Sequence, residues 1–225
     1  MITVNLRNPQ KDYHVQESMK ALRTNIQFCG TNIKAIALTS CEPNEGKSNV
    51  AVGLAESFAI SGKRVILLDV DLRKSVLLGR YKVDRGVKGM SHFLSGQHFI
   101  DEVIYNTNVE NMHIIFSGPV PPNPAELLSS KMFGELIEQL KTIYDYIIID
   151  TPPLGSVIDS AIIAQYCDGV AMVLAANTVS YKMVKHVKEQ LDRTGCNFLG
   201  IILNKVNQSS HGYYGYGAYY GTKED

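Results

Sequence analysis

Short apolar runs alternate with longer stretches of helical periodicity through most of this chain. KAIALTS (34–40), RVILLDVD (64–71), YDYIIID (144–150), DGVAMVLAA (168–176) and FLGIILNKV (198–206) are brief, apolar and rich in β-branched residues. That pattern predicts strands of a parallel sheet covered on both faces. MHIIFSG (112–118) is a weaker sixth. Helices are predicted between them. SNVAVGLAESFAISG (48–62) stops at Gly62, a C-cap residue type. SSKMFGELIEQLKTIY (129–144) places apolar residues at 132, 133, 136, 137 and 140, and VSYKMVKHVKEQLDRTG (179–195) ends at Gly195. Ahead of the first strand, VQESMKALRTNIQF (15–28) reads as an amphipathic helix. GPVPPNPAELLSS (118–130) reads as a proline-rich loop whose Asn-Pro suits an N-cap followed by proline at the first helical position. The alternation predicts an α/β, doubly wound, mostly parallel sheet that binds ligands at the carboxyl ends of its strands.

Composition narrows this picture. With 225 residues and 45% apolar content, one domain with a full core is expected. The formal net charge is zero, so no bulk field draws the chain to nucleic acid or anionic lipid. Cys29, Cys41, Cys167 and Cys196 form no CxxC pair and show no zinc-ligand spacing, which points to free thiols in a reduced cytosolic setting. The N-terminus MITVNLRNPQKDY has no apolar signal core. No apolar run nears the ~18 residues of a membrane span, so membrane association is expected only through a partner. Past Val206 no periodicity remains, and NQSSHGYYGYGAYYGTKED has the composition of a disordered tail. The expected organisation is one domain over 1–206 and a tail over 207–225.

The chemistry gathers at strand ends. KAIALTS leads into CEPNEGKS and then a helix, the strand–loop–helix setting of a phosphate-binding loop. Asn44, Glu45, Gly46, Lys47, Ser48 and Asn49 are the candidate nucleotide-binding residues. Lys47 would reach the β- and γ-phosphates and the Ser48 hydroxyl would sit on Mg²⁺. The GxxxxGK[ST] pattern asks for glycine at position 41, where this chain has Cys41. Asp69 and Asp71 stand two apart at the end of one strand and face the same side if that strand persists. Asp150 closes another strand in the Walker B position. A lone strand-end aspartate is an ordinary turn former, but three coinciding with a phosphate loop suggest metal holding and proton transfer. Asn204 ends the last strand near the same edge. Its amide could read a nucleotide base, or it could be a simple turn residue.

TSCEPNEGKS, VILLDVDLRK, IIIDTPP, GPVPPNPAELL, an N-terminal ExxKxxR and a terminal tyrosine cluster occur in that order. Together they resemble the bacterial tyrosine kinases of capsular and exopolysaccharide biosynthesis, in the form of the separate cytoplasmic kinase subunit. The resemblance implies a P-loop NTPase fold like that of the MinD and ParA ATPases, ATP and Mg²⁺, and phosphoryl transfer to tyrosine. It implies Lys47, Asp69, Asp71 and Asp150 as catalytic residues, with Ser48, Asp69 and Asp150 around the metal and Asp71 nearest the acceptor phenol. The acceptors would be the tail residues Tyr213, Tyr214, Tyr216, Tyr219 and Tyr220.

It further implies a transmembrane activator of the polysaccharide co-polymerase type, a cognate tyrosine phosphatase and a homo-oligomeric ring, an octamer being one form it could take. The chain would then be cytoplasmic and peripheral at the inner face of the membrane. The family's ring motif is ExxRxxR. Here Glu17 and Arg23 match it, and Lys20 stands where the middle arginine would be. Lysine lacks the planar fork that grips a carboxylate at two points, which would weaken a ring contact. An i,i+3 Glu17–Lys20 pair on a solvated face, worth ~0.2–0.5 kcal/mol, is the alternative.

Fifteen residues of tail reach at most about 50 Å extended and about 20–25 Å as coil, so the chain's own site or a neighbour's is in range. Transfer in trans within the ring is the expectation. The tail has no arginine and one lysine, so stacking on single-stranded RNA is disfavoured and no nucleic-acid partner is expected. Two other readings use the same loop. A cell-division or partitioning ATPase switch needs an extra lysine at position 42, where the chain has Glu42. A nucleotide-gated scaffold of a polysaccharide export complex would bind ATP and transfer nothing.

Overall fold

The computed structural model describes residues 3–6, 13–81 and 86–206. The chain runs β1 (Thr3–Val4), α1 (Tyr13–Phe28), β2 (Ala35–Ser40), α2 (Lys47–Ile60), β3 (Val65–Asp69), α3 (Leu77–Arg80), α4 (Met90–Leu94) and α5 (Ile100–Val103). It continues β4 (Tyr105–Thr107), β5 (Met112–Ile115), α6 (Pro124–Leu128), α7 (Lys131–Ile143), β6 (Tyr146–Asp150), α8 (Asp159–Ala164), β7 (Gly169–Ala175), α9 (Tyr181–Asp192) and β8 (Phe198–Asn204). One sheet holds the strands in the order β1-β4-β5-β3-β6-β2-β7-β8, and every pairing is parallel except β4 with β5. This is the doubly wound, mostly parallel α/β sheet expected from the alternation. The tyrosine cluster lies outside the described residues.

Strand alternation supplies two cores. On one face Ala35, Ala37, Ile66, Leu68, Ile147 and Ile149 pack with Phe133, Leu136, Ile137 and Leu140 of α7. On the other, Ile36, Leu38, Val65, Leu67 and Ile148 pack with Val50, Leu54 and Phe58 of α2. Phe58 stacks on Tyr146 at 3.8 Å between centroids, which ties α2 to the start of β6. Each such large side chain contributes about 1.5–3 kcal/mol on full burial. Met132 fits the apolar spacing of α7 but is exposed, so the helix turns only four of the five predicted residues inward.

Helix ends follow local chemistry. The α2 helix gives way at Ser61, and Gly62 takes φ 83°, donating to Ala59 O at 2.9 Å. Only a residue without Cβ enters that left-handed region freely. Pro124 opens α6 as expected, but Asn123 does not cap it through an accepting side chain. Its Nδ2 instead donates to Glu126 Oε2 at 2.7 Å.

Two crossovers fix where a ligand can sit. The chain passes from β2 over β6 to β3, and later from β6 over β2 to β7. The carboxyl ends of β3, β6 and β2 therefore lie side by side, and the loops after them splay apart into a crevice.

Candidate active site

The loop after β2 is shaped by its own backbone. Asn44 has φ 67° and Gly46 φ 88°. Successive residues of this kind turn neighbouring N–H groups toward one concavity that suits an anion. Gly46 is also the residue that precedes α2, whose N-terminus adds partial positive charge. A Cβ at Gly46 would lie 2.2 Å from Asn204 Nδ2, so no side chain fits there.

Side chains brace the loop from behind. The buried Glu45 carboxylate accepts from Glu42 N at 2.8 Å and from Ala175 N at 3.1 Å, joining the loop to the end of β7. Asn204 Nδ2 donates to Glu45 O at 2.9 Å, and Lys205 Nζ to Asn44 O at 2.6 Å. The amide nitrogen considered for base reading is thus engaged with the loop backbone. Cys41 has ordinary backbone geometry, so the missing glycine leaves no strain. Its buried Sγ lies 3.6 Å from Met172 Sδ, and burial pushes the thiol up to about 12. Glycine is required elsewhere: a Cβ on Gly155 would come within 2.1 Å of Cys41 O.

The acidic residues divide into three environments. Asp69 and Asp150 are directly paired across β3 and β6, so their side chains leave the same face of the sheet. Lys47 reaches across from the start of α2 and donates to Asp150 Oδ1 at 2.5 Å, both side chains being almost fully buried. Asp69 is fully buried. Its Oδ2 accepts from Ser75 Oγ, while its Oδ1 has no hydrogen-bond partner. Burial, reinforced by the neighbouring Asp150 charge, raises the Asp69 carboxyl to about 7. The strand does not persist to Asp71, because β3 ends at Asp69. Asp71 instead starts a turn, its Oδ1 accepting from Lys74 N at 2.9 Å and Arg73 N at 3.3 Å. Both bonds fall on Oδ1, which leaves Oδ2 available to another proton.

A cavity of about 280 Å³ opens beside these groups. Asn44, Glu45, Gly46, Lys47 and Ser48 line it from the loop and the start of α2, with Asp150 from the end of β6 and Asp71 from the turn after β3. Asp69 lies beneath it and outside its lining. Asn49 stands outside it too, its Oδ1 accepting from Arg80 Nη1. The sequence did not single out Ser75, Arg73, Arg80 or Asp159. Arg73 Nε and Nη2 donate to Asp159 Oδ2 and Oδ1 at 2.7 and 3.0 Å, a two-point bridge to a fully buried carboxylate. Only the pairing of Arg73 with a distant aspartate could have marked it, and no local spacing encodes that.

The orphaned Asp69 Oδ1 supplies a test of the implied metal. A buried carboxylate oxygen without a donor is costly unless a cation meets it. A hard ion bound by one or two carboxylates, a hydroxyl, phosphate oxygens and water suits Asp69, Asp150 and Ser48. Among the described residues no group of three or more His, Cys, Asp or Glu side chains forms a ready-made ion cage, consistent with an ion that arrives with phosphate. The residues therefore fit magnesium.

The N-terminal motif divides. Lys20 Nζ and Glu17 Oε1 form an exposed pair at 2.7 Å within α1. Arg23 turns inward, and its Nη1 donates to Ser57 O on α2 at 2.6 Å. Among the described residues no helix is long and apolar enough to cross a membrane.

Comparison with known proteins agrees with this architecture. The sequence family described as AAA domain matches residues 33–195. The tyrosine-protein kinase CpsD of Streptococcus agalactiae is 46% identical over 204 residues, covering 91% of this chain and 89% of that protein. The kinase domain of the Escherichia coli tyrosine kinase ETK superposes with TM-score 0.83 at 28% identity, covering 96% of this chain and 93% of that one. MinD of Pyrococcus horikoshii, solved with Mg-ADP, superposes with TM-score 0.65 at 25% identity, covering 76% of this chain and 69% of that one. A P-loop whose lysine and serine share a cavity with Asp150 at the end of β6 and Asp71 in the turn after β3, on a MinD-like sheet and with these relatives, places the chain in the family of bacterial tyrosine-protein kinases.

Proposed function

We propose that the chain is an ATP-dependent protein-tyrosine kinase that phosphorylates Tyr213, Tyr214, Tyr216, Tyr219 and Tyr220 of its own tail, in trans within a ring. The observation that carries this reading is Asp71: a carboxylate with one oxygen uncommitted lines the same cavity as the phosphate loop. The names of the relatives support tyrosine as acceptor. Residues 1–206 form the kinase domain, with 15–28 as a subunit contact, and 207–225 form the substrate segment.

ATP is held by the N–H groups of residues 44–49, with Lys47 exchanging Asp150 for phosphate oxygens. Ser48, Asp69 and Asp150 would hold magnesium, which would neutralise charge on the phosphates. Asp71 Oδ2 accepts the phenol proton as the phenol oxygen bonds to the γ-phosphorus and the bond to the leaving ADP oxygen breaks. A free phenol has a pKa near 10, so a positioned base lowers the barrier to attack. The exposed Tyr13, Val15 and Phe28 along α1 offer apolar area to a neighbouring subunit. A membrane-spanning activator, a tyrosine phosphatase and control of capsular or exopolysaccharide synthesis complete the reading, with the chain on the cytoplasmic side of the membrane.

Incubation of the full chain with Mg-ATP and mapping of phosphate by mass spectrometry tests it. Phosphate on Tyr213–Tyr220 is expected, with a loss of about 10²-fold or more in Asp71→Asn. A Lys47→Ala chain with an intact tail, mixed with an active chain whose five tail tyrosines are phenylalanine, should become phosphorylated if transfer is in trans. Absence of tail phosphate in the wild type, with or without an activator fragment, would defeat the kinase reading.

A further inference from the structure

The cavity has an apolar part that phosphate binding leaves unused. Val76 and Val157 both line it, together with Pro153, and Val76 is 46% exposed. Singly exposed valines are ordinary on a protein surface. These two face the same cavity as Asp71, come from different loops, and are held in place by a specific device. The loop after β3 carries Asp71, Arg73 and Val76; the loop after β6 carries Val157 and runs into Asp159 at the start of α8. The two-point Arg73–Asp159 bridge joins the loop that carries Val76 to the segment that carries Val157. A surface pair would add little, but here one partner is fully buried and the geometry is bidentate.

Topology says what enters between them. The phosphates lie over the loop after β2. On one side of β2 the sheet continues with β7 and β8, whose Ala175 and Asn204 brace that loop. On the other side stand β6, which ends at Asp150, and β3, which ends at Asp69 and is followed by the loop that carries Asp71. Lys47, the residue type that reaches the β- and γ-phosphates in such a loop, is turned toward β6, where it meets Asp150, so the terminal phosphate belongs on the β6–β3 side. The acceptor must arrive there, next to Asp71.

We propose that Val76 and Val157 are the two walls of the acceptor subsite, holding the phenol ring of an incoming tail tyrosine so that its hydroxyl meets Asp71. This rests on the kinase reading above and deepens it. A tyrosine has an apolar body and a polar tip; Val76, Val157 and Pro153 offer apolar surface for the ring, and Asp71 lines the same cavity, with Ser75 and Ser156 next to the valines also in the lining. A serine or threonine hydroxyl would leave the walls unfilled, which selects the aromatic acceptor.

The full-length protein, Mg-ATP and a synthetic peptide GYYGYGAYYG test the inference. Val76→Asn and Val157→Asn should each raise the KM for peptide about tenfold and leave the KM for ATP within twofold; Val76→Ile should retain wild-type values. Val76→Thr and Val157→Thr, which keep the side-chain shape, guard against misfolding and should raise the peptide KM in the same direction. An unchanged peptide KM in the asparagine variants overturns the subsite while the kinase reading stands. A rise in the KM for ATP instead assigns these valines to the nucleotide and also overturns it. A wild-type chain that transfers no phosphate to the peptide overturns both.

Discussion

Asp69 and Asp150 end adjacent strands with their carboxyl groups on one face, and a single lysine stands between α2 and the pair. Lys47 bonds Asp150, so Asp69 carries the unbalanced cost of burial. Its carboxyl is raised from 3.8 to about 7, first by desolvation and then by the Asp150 charge. Between about pH 4 and pH 7 the unfolded chain has released this proton and the folded chain keeps it. The native state then binds more protons than the unfolded one, so stability falls as pH rises through that window. In chelator, the thermal midpoint should therefore decline between pH 5 and pH 7.5, and Asp69→Asn should flatten the decline. Mg-nucleotide should flatten it too, because a cation at Oδ1 stabilises the charged form. Identical slopes in wild type and variant would show that the proton resides on another group. The identity of these aspartates was legible, because each ends an apolar run. The difference between them was not, because it depends on which one Lys47 reaches across the loop. Cys41 makes the same point: its departure from the glycine pattern was visible, but Met172, the partner that buries it, lies on β7.

At the scale of elements, α1 is held to α2 by few groups. Ile26 is its one buried residue, and Met19 rides within 3.1 Å of where a Cβ on Gly53 would stand. Arg23 adds a charge-assisted bond to Ser57 O at 2.6 Å, which occupies a carbonyl of α2. The Glu17–Lys20 pair is exposed and lies within α1 itself. Arg23→Ala should thus cost about 1–3 kcal/mol, read as a lower denaturant midpoint. Lys20→Ala should stay within about 0.5 kcal/mol. Equal effects would mean that Arg23 does not anchor the helix. The motif's order along the chain announced a helix with a special face, and only the packed structure separates the anchoring residue from the exposed pair. The long strands and α2, α7 and α9 were legible because each repeats its period over several residues. The short α3, α4, α5 and α8 and the short strands β1 and β4 were not. They are fixed by distant partners, as when Met90 N donates to Phe116 O at 2.7 Å or Thr3 pairs with Asn106.

For the whole molecule the relevant quantity is charge. The chain is neutral overall, with equal numbers of acidic and basic residues, and its tail carries five tyrosines beside two terminal acids and one lysine. Each phosphotyrosine adds about −1.5 to −2 charges, so full modification adds on the order of −8 to −10. At a neighbour's cavity, as proposed, an unmodified tail with formal charge −1 would meet Asp71 and Asp150 with little repulsion. A modified tail would meet them with strong repulsion, and in the proposed ring modified tails would repel one another. Phosphorylation should then expel the tails and loosen the assembly, so that the reaction ends its own geometry. Light scattering on the phosphorylated protein should give a smaller mass than on the same sample after tyrosine phosphatase treatment. The gap should narrow at high salt, where the Debye length shrinks to about 3 Å at 1 M. The same mass before and after phosphatase would mean that subunit contacts such as those along α1 outweigh tail repulsion.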